Sequence, residues 1–80
     1  MTKDEVFVKV AAILVDYLRL KGDEVTAQSH VINDLGADSL ALVELGFKFM
    51  EAFGIGMIAP EDENLVVGNL VEHISQLIPA

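Results

Sequence analysis

From Asp4 to Leu20 the polar residues Glu5, Lys9, Asp16 and Arg19 fall on one arc of a helical wheel, while Val6, Phe7, Val10, Ile13, Leu14, Tyr17 and Leu18 fill a broad opposite arc. This spacing predicts a first amphipathic helix, stopped by Lys21-Gly22-Asp23. The polar stretch that follows, to Asn33, reads as a long loop in which Val25, Val31 and Ile32 tuck inward. Asp34-Leu35-Gly36-Ala37-Asp38 reads as a turn, with Gly36 free to take positive φ and Asp38 placed to cap a second helix starting at Ser39. That helix runs to about Phe53 and ends at Gly54-Ile55-Gly56. Pro60-Glu61-Asp62-Glu63 puts a Pro and three acids where a short third helix can begin. In the last segment Val67, Leu70, Val71, Ile74, Leu77 and Ile78 share a face opposite Asn69, Glu72, Ser75 and Gln76, which predicts a final amphipathic helix. No strand pattern competes. The expectation is an all-α fold, a four-helix bundle with a long loop between the first two helices and a short helix III, forming a single domain over residues 1–80.

Composition narrows what such a bundle can do. Eighty residues suffice for one small domain and not for a buried active site with its own substrate pocket. With 52% hydrophobic residues, no Trp and few aromatics, the core must be aliphatic. A formal charge of -8 repels nucleic acid and favours partners that present Lys and Arg. The lack of Cys removes disulfides and thiolate chemistry. The acidic start, Met1-Thr2-Lys3-Asp4-Glu5, is unlike a signal peptide, and no apolar run approaches the roughly 20 residues of a membrane span. A cytoplasmic, monomeric protein is the expectation.

The second helix carries two apolar stripes, and only one can face the core. Leu42, Leu45, Gly46, Phe49, Ala52 and Phe53 project to one side as the packing face. Leu40, Val43, Phe47 and Met50 form the other stripe, flanked by Glu44 and Glu51. An apolar strip edged with acids reads as a docking surface, since the strip supplies contact energy and the carboxylates steer a basic partner. The competing reading is that the first loop or the third helix covers part of it. His30 and His73 are isolated, which argues against zinc, and Glu61-Asp62-Glu63 lacks the ligand spacing of a calcium loop and reads as a solvated helix start. Gly36-Ala37-Asp38-Ser39-Leu40-Ala41 lacks the second Gly of a nucleophile elbow. With no acid/base pair or activated nucleophile visible, the chain reads as a non-enzyme.

Leu35-Gly36-Ala37-Asp38-Ser39-Leu40, followed by Val43-Glu44-Leu45, resembles the attachment-site signature of the acyl carrier protein family. The similarity runs from about Glu24-Val25-Thr26 through Phe53, and more loosely over both outer helices. It implies that Ser39, flanked by Asp38 and Leu40, accepts 4′-phosphopantetheine from coenzyme A through a phosphopantetheinyl transferase, and that the arm then carries acyl groups as thioesters. It also implies docking of acyl-loading and acyl-processing enzymes, through basic patches, on Asp38, Leu40, Val43, Glu44, Phe47 and Glu51, in fatty acid, related lipid or polyketide biosynthesis. Physics agrees on Ser39, because the first turn of a helix offers unpaired N–H groups to a new phosphodiester anion.

Ala41, Lys48 and Met50 depart from the more acidic helix II of the fatty-acid type, which points to a specialised partner set. Gly46 stands where the family has a larger apolar residue, at a helix-propensity cost of roughly 1 kcal/mol relative to Ala. Close helix packing and room for an acyl chain are the two readings of it. The segment from Gly54 to Val66 also departs from the family's approach to helix III. A peptidyl carrier domain and an unmodified acidic helical interaction module are the alternatives to an acyl carrier. Ala37-Asp38 before the Ser speaks against the first, and a dispensable Ser39 is the mark of the second.

Overall fold

The computed structural model describes residues 2–56, 58 and 65–78, and these form three α-helices. Helix α1 spans Lys3–Leu18, α2 spans Ser39–Phe53 and α3 spans Val67–Leu77. Among the described residues the only extended pairing is one antiparallel bridge between His30 and Val66. The expected short helix at Pro60 and its acids Glu61, Asp62 and Glu63 lie outside the described residues.

Each helix begins where its caps dictate. Thr2 and Glu5 make a reciprocal capping box at α1: Glu5 N–H donates to Thr2 Oγ1 at 3.2 Å, and Thr2 N–H donates to Glu5 Oε1 at 3.2 Å. These bonds hold the Glu5 carboxyl below its ordinary value. The end of α1 corrects the sequence reading. The helix stops at Leu18 because Arg19 turns left-handed at φ 57°, two residues before the expected Lys21-Gly22-Asp23 stop.

The core joins Val6, Val10 and Leu14 of α1, Leu45, Phe49 and Phe53 of α2, and Val67, Leu70, Val71 and Ile74 of α3. Loop residues Val25, Val31, Leu35, Ala37, Ile55 and Ile58 complete it. Four positions depart from the expected faces. Ala52 and Leu77 point to solvent, Ile32 is exposed rather than tucked in, and Ser75 is half-buried rather than outward. Ala52 instead lines a surface groove between α1 and α2 with Ile13, Asp16, Lys48 and Glu51. Leu77 belongs to the last helical turn, and Ile32 to the middle of a turn whose neighbours Val31 and Leu35 take the inward places.

The loop between α1 and α2 is strapped to the start of α3. Val31 N–H donates to Leu65 O at 2.7 Å, Val67 N–H to Ser29 O at 2.9 Å, and Gly68 N–H to Ala27 O at 2.8 Å. Val66 has no side-chain oxygen with which to cap α3, so loop carbonyls satisfy the first N–H groups of that helix instead. The close approach requires Gly68, because a Cβ there would lie 2.9 Å from the Ala27 carbonyl oxygen.

Candidate functional site

The strap fixes the chain just ahead of α2. His30 opens a tight turn: its Nδ1 accepts from the N–H groups of Ile32 at 3.2 Å and Asn33 at 3.0 Å, while its own N–H donates to Asp34 Oδ2 at 2.7 Å. The isolated loop histidine of the sequence reading is thus a cap for this turn. Gly36 follows at φ 81°, and Ala37, buried, donates its N–H to Val31 O at 3.0 Å. Asp38 then adopts extended backbone and caps α2, its Oδ1 accepting from Ala41 N–H at 2.8 Å and its carbonyl from Leu42 N–H at 3.0 Å. Ser39, the first residue of α2, is exposed, as the sequence reading requires of an attachment point.

Comparison of the hydroxyls singles Ser39 out. The chain has three serines. Ser29 is buried, with its hydroxyl bonded to Glu24 O at 3.3 Å and paired with Thr26. Ser75 has a buried Oγ within α3. Ser39 alone is exposed, and no hydrogen bond among the described residues engages its hydroxyl. The N–H groups of Ser39 and Leu40 also have no acceptor among the described residues, because Asp38 takes the Ala41 N–H and not theirs. An exposed, uncommitted hydroxyl beside two unpaired N–H donors, with the Leu40 side chain 72% exposed, is a setting in which a bulky phosphodiester fits without displacing packed groups.

The outward face of α2 begins at the same point. Val43 is 43% exposed and Phe47 49%, so the second apolar stripe stays open where the described residues surround it, while Met50 is half-buried. Glu44 and Glu51 are exposed on the same face. Sequence reasoning missed that Glu44 is tied to α1: the Tyr17 hydroxyl donates a hydrogen bond to Glu44 Oε2. Accepting that bond, Glu44 holds the Tyr17 phenol above its ordinary range, and partial loss of water contact and the negative fields of Glu44 and Asp38 act in the same direction. Lys48 Nζ lies 5.5 Å from the Tyr17 ring centroid. The signal was present in the residue type. A Tyr, rather than a Phe, on a packing arc carries a hydroxyl that needs a partner at the arc's edge.

Elsewhere, His73 is half-buried in α3, and no group of three or more His, Cys, Asp or Glu among the described residues is arranged to hold a metal ion. No helix of the described residues is long and apolar enough to cross a membrane.

The described helices thus expose one serine at the start of α2, beside an apolar strip edged with acids. The phosphopantetheine attachment site family model matches residues 8–74. The chain is also 45% identical to the acyl carrier protein of Petrotoga mobilis (strain DSM 10674 / SJ95) over 78 residues, covering 98% of this chain and 88% of the relative. The chain belongs to the acyl carrier protein family of phosphopantetheine-attachment domains. It is a carrier and not an enzyme, and its prosthetic group is phosphopantetheine.

Proposed function

We propose that this chain carries acyl intermediates as thioesters on a 4′-phosphopantetheine arm attached to the Ser39 hydroxyl, and delivers them to partner enzymes of fatty acid, related lipid or polyketide biosynthesis. The observation that carries the assignment of Ser39 is its isolation among the serines: it is the exposed one, at the start of α2, with no hydrogen bond among the described residues to give up. When bound, the group supplies a terminal thiol that forms the thioester.

The residues around Ser39 have distinct parts in this reading. Asp38 fixes the first turn of α2 and so the direction in which the Ser39 side chain leaves the surface. The N–H groups of Ser39 and Leu40 favour the phosphodiester charge. Leu40, Val43 and Phe47 supply apolar contact to a docking enzyme, and Asp38, Glu44 and Glu51 attract its basic patch. A phosphopantetheinyl transferase is the first such partner. The whole chain acts as one domain of the four-helix bundle class, and it works as a cytoplasmic monomer. Gly46 is buried on α2, where its missing side chain serves close helix packing or, if an acyl chain folds back between the helices, the space that chain needs.

Intact mass after incubation with coenzyme A and a phosphopantetheinyl transferase tests the attachment. One phosphopantetheinyl adduct is expected on the native chain and none on Ser39→Ala, whose far-UV circular dichroism should be unchanged. An adduct retained by Ser39→Ala, or no adduct on the native chain, overturns the assignment. Loading trials with malonyl, fatty acyl and aminoacyl donors then separate the acyl from the peptidyl class.

A further inference from the structure

The hydrogen bond from Tyr17 to Glu44 joins two elements that the core already holds together, and it ends on a carboxylate of the docking face. Long acidic side chains on a helix surface sample several rotamers, and a partner must freeze them on docking. Glu44 is exposed but does not have this freedom, since its Oε2 is engaged from α1. Tyr17 itself is half-buried and packs against the core, so its hydroxyl is a fixed point rather than a second mobile group.

The ring of Tyr17 has a second effect. Lys48 follows Glu44 by four residues on α2, the spacing at which a Glu and a Lys pair along a helix. Instead Lys48 Nζ sits over the Tyr17 ring, 5.5 Å from its centroid, and makes no ion pair with Glu44 among the described residues. The hydroxyl therefore holds the carboxylate, and the ring holds away the cation that would neutralise it.

We propose that Tyr17 is a positioning residue for the docking face: it presets the Glu44 carboxylate, with Oε1 left to accept from a Lys or Arg of a partner enzyme. The inference rests on the docking reading of α2 given above. Preordering one such side chain corresponds to about a two- to tenfold gain in affinity.

Tyr17 is the only tyrosine in a chain without tryptophan, so ultraviolet titration of the phenol in the full-length protein reads this one contact. The phenol should titrate above its ordinary range and fall back towards it in Glu44→Ala. In phosphopantetheinyl transferase kinetics, Tyr17→Phe keeps the ring and should raise KM for the carrier about two- to tenfold, leave kcat unchanged, and add nothing in a Glu44→Ala background. A phenol that titrates in the ordinary range, which needs no variant to measure, overturns the proposal. So does an unchanged KM for Tyr17→Phe when Glu44→Ala raises it. If Glu44→Ala itself leaves KM unchanged, the docking role of Glu44 falls first and the positioning role with it.

Discussion

The two faces of α2 are built from the same kinds of side chain and have opposite fates. Leu45, Phe49 and Phe53 are buried in the core that the three helices share, whereas Leu40, Val43 and Phe47 are exposed to water. The inner face is accounted for by folding, since each large side chain removed from water stabilises the domain by roughly 1.5–3 kcal/mol. The outer face gains far less of this in the free chain, where Val43 is 43% and Phe47 49% exposed. Its apolar residues, edged by Glu44 and Glu51 and headed by Ser39, are the strip that the proposed docking reading assigns to a partner enzyme.

Phe47 and Phe49 put this contrast in one helix and one residue type. Phe49 is 4% exposed, and Phe49→Ala should destabilise the domain by about 3–5 kcal/mol, most of the stability that so small a domain has. Phe47→Ala should change stability by about 0.5 kcal/mol or less, yet weaken loading by the transferase through a higher KM. Urea melts of both variants alongside transferase kinetics check the pair. Equal losses of stability would mean that the outer stripe belongs to the core after all.

The sequence made the inner half of this contrast legible, because helical periodicity reports burial directly: α2 has the expected bounds, Ser39–Phe53, and the Asp38 cap lies where a short acidic side chain before an apolar run must put it. The place of Ser39, exposed at the start of α2, was legible through the residues around it. Contacts between elements were not. Periodicity places Tyr17 on an arc but does not say what its hydroxyl meets, and nothing in a loop pattern shows that the carbonyls of Ala27 and Ser29 cap α3. The end of α1 was misplaced for a related reason. Gly22 is the stronger stop in composition, but Arg19 takes the left-handed position and sends Leu20 N–H back to Val15 O at 3.0 Å.

The strap that aims Ser39 can be tested apart from either face of α2. A methyl group at Gly68 would meet the Ala27 carbonyl oxygen at 2.9 Å, and backbone on both sides leaves no flexible side chain to give way. Gly68→Ala should therefore destabilise the domain by about 1–3 kcal/mol, although Ala is the better helix former. Thermal melts measure the loss. If the strap sets the approach to α2, hydrogen exchange should also quicken at Val31 and Val67, whose N–H groups bond across it. A stabilised Gly68→Ala would show that the loop yields freely and does not aim Ser39.

The smallest effect concerns a residue that neither face of α2 nor the strap explains. The ends of α1 and α2 share one backbone conformation, φ 57° at Arg19 and φ 64° at Gly54, but only the second has the residue that adopts it without strain. A side chain in the left-handed region costs roughly 1 kcal/mol, and replacing it with Gly returns part of that gain to the unfolded chain as added freedom. Arg19→Gly should accordingly stabilise the domain by up to about 1 kcal/mol, a rise in Tm of several degrees for a chain of this size. Exposed and outside α2, Arg19 should have no effect on the transferase KM. A stability gain with loading unchanged would keep Arg19 out of the docking surface, whereas a raised KM would extend that surface from α2 to the end of α1.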